Sequence, residues 1–173
     1  MKRLICILLL LCLALSLLPA GAEDAAEETG LEKFAVKHGS RNSPKIAITM
    51  DDCNERDWAW KAVELCREYG ITMTFFPNGY NLHEEDREGW LNALDAGCEI
   101  ASHGQSHYYL RDTGQGTILF RLGYFQQVLD KVLGFHYQVR WFRPPFGKYA
   151  DSDGSSTRIV RIIRQYGYDL ISQ

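Results

Sequence analysis

The sequence predicts an α/β fold of parallel strands in a distorted, incomplete (β/α) barrel, and three observations carry that expectation. From Lys45 onward, short β-rich runs alternate with longer segments of helical period, the pattern of βα units feeding a parallel sheet. Gly70, Gly97, Gly134 and Gly167 each stand where a helix should stop. Three clusters of polar residues follow three different strands, and in parallel sheets ligands bind at the C-terminal strand ends.

In chain order, Ile46–Met50 is the first expected strand. The helix over 57–69 places Ala59, Ala62, Val63 and Cys66 on one face. A second strand over Ile71–Phe76 leads to a helix over 85–96, and Cys98–Ala101 is the third strand. The next helix, over 118–133, carries Ile118, Leu122, Phe125, Leu129 and Val132 on one face. A fourth strand at Val139–Phe142, a helix over 157–166 and a fifth strand at Tyr168–Ser172 complete the pattern. About five strands in 173 residues are too few to close an ordinary eight-stranded barrel of about 250 residues. With no helix after the fifth strand, the domain is expected to be C-terminally incomplete.

Residues 1–22 read as a secretory signal peptide: Met1-Lys2-Arg3 is basic, Leu4–Leu18 is apolar, and Ala20-Gly21-Ala22 offers a small-residue cleavage site. The apolar run is short for a membrane span, so contact with a membrane is expected only before cleavage. Residues 23–44, acidic and then turn-rich, read as a linker, which leaves 45–173 as the domain. A secreted or cell-envelope protein of a bacterium is the expected setting.

Lys plus Arg number 19 against 22 Asp plus Glu, a net charge of −3 that becomes −5 once Lys2 and Arg3 are removed. That balance excludes nucleic acid as the expected partner. At 46% hydrophobic and 24% charged residues, the composition is that of a globular domain. Cys53, Cys66 and Cys98 remain after processing, an odd number that forms no complete disulfide framework.

Thr49-Met50-Asp51-Asp52 ends the first strand with adjacent carboxylates, which alone are as compatible with a helix cap or a solvated turn. After the third strand, His103 and His107 sit four residues apart, a spacing that lets two imidazoles converge on one metal with a carboxylate from elsewhere; turn or capping histidines are the plainer alternative. After the fourth strand comes Arg143-Pro144-Pro145-Phe146-Gly147, where two prolines stiffen the chain and hold Arg143 and the Phe146 N–H in fixed directions. Together the clusters supply a carboxylate and two histidines for a metal, a second carboxylate as base, and a cation to orient it.

On these residues the sequence resembles the polysaccharide deacetylase family, carbohydrate esterase family four. Thr49–Asp52 is similar to its Thr-Phe-Asp-Asp-Gly motif, His103–His107 to its His-Ser/Thr-x-x-His motif, and Arg143–Gly147 to its Arg-x-Pro-Tyr/Phe-Gly motif. Ile71–Phe76 is similar to the family's second strand. The resemblance implies a seven-stranded barrel and a hydrolase that removes N-acetyl groups from cell-wall or chitin-like polysaccharide. It implies Asp52, His103 and His107 as ligands of Zn2+, or of Co2+, Ni2+ or Mn2+. Asp51 is implied as the general base, oriented by Arg143, and the Phe146 N–H as an oxyanion donor, with Pro144, Pro145 and Gly147 beside the substrate. O-acetyl ester hydrolysis, and binding of glycan or metal without turnover, are the alternatives. Cys53 departs from the family's glycine and is assigned to packing, with a fourth-ligand role as the alternative. The family's fourth, Asp/Trp-bearing motif and its fifth, Leu-x-His motif, whose histidine protonates the leaving amine, are not met by Gln173. His136 is expected at the far end of the sheet, His83 on the correct side in a loop, and Lys148 and Tyr149 near substrate.

Overall fold

The computed structural model describes residues 35–172, so the expected signal peptide lies outside the described residues. Six short strands and four α-helices follow in order: β1 (Ala35–Val36), β2 (Thr49–Asp52), α1 (Arg56–Tyr69), β3 (Thr74–Pro77), α2 (Arg87–Asp95), β4 (Glu99–Ile100), α3 (Gln115–Leu133), β5 (Trp141–Phe142), α4 (Thr157–Tyr166) and β6 (Asp169–Ile171). All strand pairs are parallel, in two sheets of order β2-β3-β4 and β1-β6-β5. A parallel bridge between Ser102 and Phe142 joins them, with Ser102 N–H donating to Trp141 O at 2.9 Å and Arg143 N–H to Ser102 O at 2.9 Å. The result is a partial barrel, open between β2 and β1 among the described residues.

Strand alternation sorts the side chains. Met50, Phe75 and Ile100 share a register level and pack toward the helices, where Phe75 meets Trp90 edge-to-face at 5.9 Å. Asp51 and Phe76, one residue on, share the opposite face, and Phe76 lies beneath the Arg143 guanidinium at 4.2 Å. The helices bury the stripes their sequences foretell: Ala59, Val63 and Cys66 on α1, and Ile118, Leu122, Phe125, Leu129 and Val132 on α3. Each fully buried Leu, Ile or Phe contributes about 1.5–3 kcal/mol, so these stripes fix the helices on the sheet.

Two expectations are corrected. The described residues hold six strands where about five were expected, because Ala35–Val36, within the segment read as linker, pairs with β6. The strands are also shorter than the apolar runs suggest. Ile46 and Ile48 are exposed and precede the ladder, although Ile48 O accepts from Thr74 N–H at 3.0 Å. Among the described residues strand β2 has β3 as its one neighbour, so its leading residues have no second strand there to hold them.

Candidate metal centre

The C-terminal ends of β2, β3, β4 and β5, consecutive across the sheet, deliver one polar residue each to a common point. Asp52 ends β2, Asn78 follows β3, His103 follows β4 and Arg143 follows β5. Asp52 and Cys53 both have positive φ, 61° and 50°, so the chain leaves β2 through two left-handed residues without a glycine, at a cost of about 1–2 kcal/mol each. That turn is where the family's glycine would sit. Cys53 is buried, and its Sγ lies 3.8 Å from Met50 O. Burial, reinforced by Asp51 and Asp52, pushes its thiol far above the usual range, and it is not among the converging ligand atoms. Cys53 is part of the buried core.

Asp52 Oδ1 lies 3.8 Å from His103 Nε2 and 3.7 Å from His107 Nε2, and the three ligand atoms all fall within 4.8 Å of one another. These separations are too long for hydrogen bonds. They lie a few tenths of an ångström above the roughly 3.4 Å between donors held about 2.1 Å from a tetrahedral ion. The donor set therefore fits a divalent cation. His103 is buried, and its Nδ1 is 2.8 Å from Arg143 O; an N–H there donating to that carbonyl leaves the Nε2 lone pair facing Asp52. Burial pushes the His103 imidazole below its usual value, favouring the neutral form that a ligand needs.

Arg143 is buried and extends one nitrogen, Nη1, to Asp51 Oδ1 at 2.6 Å and to Thr49 Oγ1 at 2.9 Å. The expected pairing of cation and second carboxylate is thus present. At Phe146 the chain turns with φ 61°, closed by Gly147 N–H to Pro144 O at 3.0 Å and Lys148 N–H to Pro145 O at 3.3 Å. The turn's own bonds leave the Phe146 N–H unused. Its ring, partly exposed, meets His107 at 4.2 Å and stacks on Tyr109 at 4.1 Å. Pro144 and Pro145, expected beside substrate, are buried: they shape the turn and offer little surface.

A cleft of about 290 Å³ opens beside the ligands, lined by Asp52, Asn54, Asn78, Tyr80, Asn81, Ser106 and His107. A larger one, about 390 Å³, runs between α1 and α2 and shares no residue with it. His136 pairs with Asp130 near the end of α3, 2.7 Å away, and His83 is exposed before a 3₁₀ turn; neither is among the converging ligand atoms. Tyr149 packs against the core. The residue that sequence reading missed is Asn78. Its signal was positional: it stands directly after β3, at the same sheet edge as the three recognised clusters.

A sequence model of the polysaccharide deacetylase family matches residues 38–171, and the chain belongs to that family. It is 27% identical over 133 residues to a chitooligosaccharide deacetylase of Azorhizobium caulinodans, covering 77% of this chain and 60% of that protein. It is 24% identical over 127 residues to a peptidoglycan-N-acetylglucosamine deacetylase of Bacillus cereus, covering 70% and 44%. The chain thus spans about half the length of these curated relatives. A family 4 carbohydrate esterase from Bacillus anthracis superposes with a TM-score of 0.67 at 23% identity, over 83% of this chain and 66% of that one. A family 4 pseudoenzyme from the same species gives 0.68 at 19% identity, over 80% and 46%. These likenesses show the fold, a parallel α/β partial barrel.

Proposed function

We propose that the chain is a metal-dependent hydrolase that removes N-acetyl groups from a cell-wall or chitin-like polysaccharide, exported by the signal peptide read in residues 1–22. The observation that carries this is the convergence of Asp52, His103 and His107 beside an Asp51 held by Arg143. The names of the curated relatives support the N-acetyl substrate. Zn2+ is the proposed cation, because two imidazoles and one carboxylate suit a tetrahedral borderline metal; Co2+, Ni2+ or Mn2+ fit the same donors. When bound, such a cation supplies Lewis acidity and lowers the pKa of water.

The chain's own residues then divide the remaining work. Asp51, fixed by Arg143 Nη1, takes the proton from the attacking water. The Phe146 N–H, unused by its turn, donates to the oxygen that gains charge as the acetamide carbonyl becomes tetrahedral. Replacing Asp51 by Asn in the full chain is expected to abolish acetate release from a chitooligosaccharide while the zinc content stays at the wild-type level. Retained acetate release would remove Asp51 as the base.

One observation favours a second reading, binding without turnover. Among the described residues His136 is paired with Asp130, and His83 is exposed and does not line the cleft beside the ligands, so neither is placed as the acid that a leaving amine requires. Saturable binding of zinc and oligosaccharide by the full chain, with no acetate formed over hours, would select this reading.

A further inference from the structure

We propose that Asn78 is a positioning residue that fixes the Asp52 carboxylate for the cation, an inference that rests on reading Asp52, His103 and His107 as a metal site. Asn78 holds Asp52 at two places. Its backbone N–H donates to Asp52 O at 3.2 Å, and its side-chain Nδ2 donates to Asp52 Oδ1. That oxygen is the one facing both imidazoles. A third donation, from Asn81 Nδ2 to Asp52 O at 2.8 Å, secures the same residue's backbone.

Asp52 needs such holding. Its φ of 61° is a conformation an L-residue adopts at a cost, and its side chain is 40% exposed, so burial holds it only in part. The end of the amide that meets it is settled by chemistry, since a carboxylate accepts and does not donate. One lone pair of Oδ1 is then committed to Asn78, and the other is left on the oxygen that faces the histidines.

The opposite end of the amide argues that packing alone did not select this residue. Asn78 is 4% exposed and lines the cleft with Asp52 and His107, yet its Oδ1 is buried with no donor among the described residues. A leucine has the same γ-branched skeleton and would occupy the position without burying an unsatisfied acceptor. What a leucine lacks is the charge-assisted hydrogen bond to Asp52, and hydrogen bonds to ionised acceptors are roughly twice as strong as neutral ones. Residues that orient a metal ligand in this way typically tune metal affinity by 10–100-fold.

Stability and metal affinity should therefore move apart. The test is zinc affinity of the full chain by competition with a chelating indicator, beside the thermal midpoint of the zinc-free protein, for wild type, Asn78→Leu and Asn78→Ala. Asn78→Leu is expected to keep or raise the midpoint while weakening zinc binding about 10–100-fold, and to alter the visible absorption of the Co2+-loaded protein. Asn78→Ala should weaken zinc binding by a similar factor, and carries the test if the leucine variant does not fold. Zinc affinity within threefold of wild type in both variants overturns the assignment, as does a lowered midpoint with affinity unchanged. A wild type that binds no zinc overturns the metal reading itself and the role of Asn78 with it. Binding by wild type with no effect of the substitutions removes Asn78 alone.

Discussion

Arg143 serves two roles through two different parts of itself. Its backbone carbonyl lies 2.8 Å from His103 Nδ1, while its guanidinium bonds Asp51 and Thr49 and covers the Phe76 ring. The two functions are separable by substitution, because a side-chain change leaves the carbonyl in place. Arg143→Met should lower kcat/KM for acetate release by about 10²-fold, the scale on which a misplaced catalytic group costs rate, while zinc content is unchanged. Arg143→Lys keeps a charge but loses the planar group that stacks on Phe76, so it should recover little of that loss. If either variant loses zinc together with activity, the guanidinium is holding the ligand loop and not the base. At this scale much was legible in the sequence. Asp51, Asp52, His103, His107 and Arg143 each announce themselves by residue type, and the topology brings them together. Asn78 does not, because a neutral amide after a strand resembles any turn residue until its neighbours are known.

The elements show the same division between what periodicity states and what contact decides. The apolar stripes of α1 and α3 are readable because a 3.6-residue period survives any arrangement of neighbours, and α4 spans the predicted residues 157–166 without change. Strand limits depend on partners, which is why β1 was hidden: Ala35-Val36 is too short to show a pattern, and its pairing with Leu170 and Ile171 is set by the far end of the chain. The α1–α2 contact is a sharper case. Gly89 on α2 looks like a helix fault worth about 1 kcal/mol relative to alanine. In the structure a Cβ there would stand 2.5 Å from Trp60 Cζ2, and Trp60 is itself set edge-to-face against buried Trp90 at 5.2 Å. Overpacking of this kind costs about 1–3 kcal/mol, more than the helix gain. Gly89→Ala should lower the urea midpoint without changing the slope of the transition. In a Trp60→Ala background the same change should raise it, and a failure to reverse sign would place the cost elsewhere.

For the molecule as a whole, the site depends on loops that no strand holds. The segment after Phe146 and the loop leading into α3 are tied to each other by Asp112, Asp151 and Arg158. Arg158 grips Asp151 with two bonds of 2.6 Å and reaches Thr113 O at 2.8 Å, while Asp112 N–H donates to Asp151 Oδ1 at 2.9 Å. Ser152 N–H donates in turn to Asp112 Oδ1 at 3.1 Å. This clamp follows Tyr109 in the chain, and Tyr109 stacks on Phe146 beside His107. The Arg158 guanidinium, outweighing burial, holds the Asp151 carboxyl below the usual range. A group whose folded pKa is depressed contributes stability that is present above its unfolded value, near 3.9, and is lost as pH falls through the folded one. Protection factors of the Asp112 and Ser152 amides should therefore be constant from neutral pH down to about 5 and should fall below about 4. Arg158→Met should lower them at neutral pH and flatten that dependence, because the carboxyl then has no strong partner to lose. Unchanged protection in the variant would show that the loops are held by their own turns, and that the clamp adds nothing to the order of the ring stack beside His107.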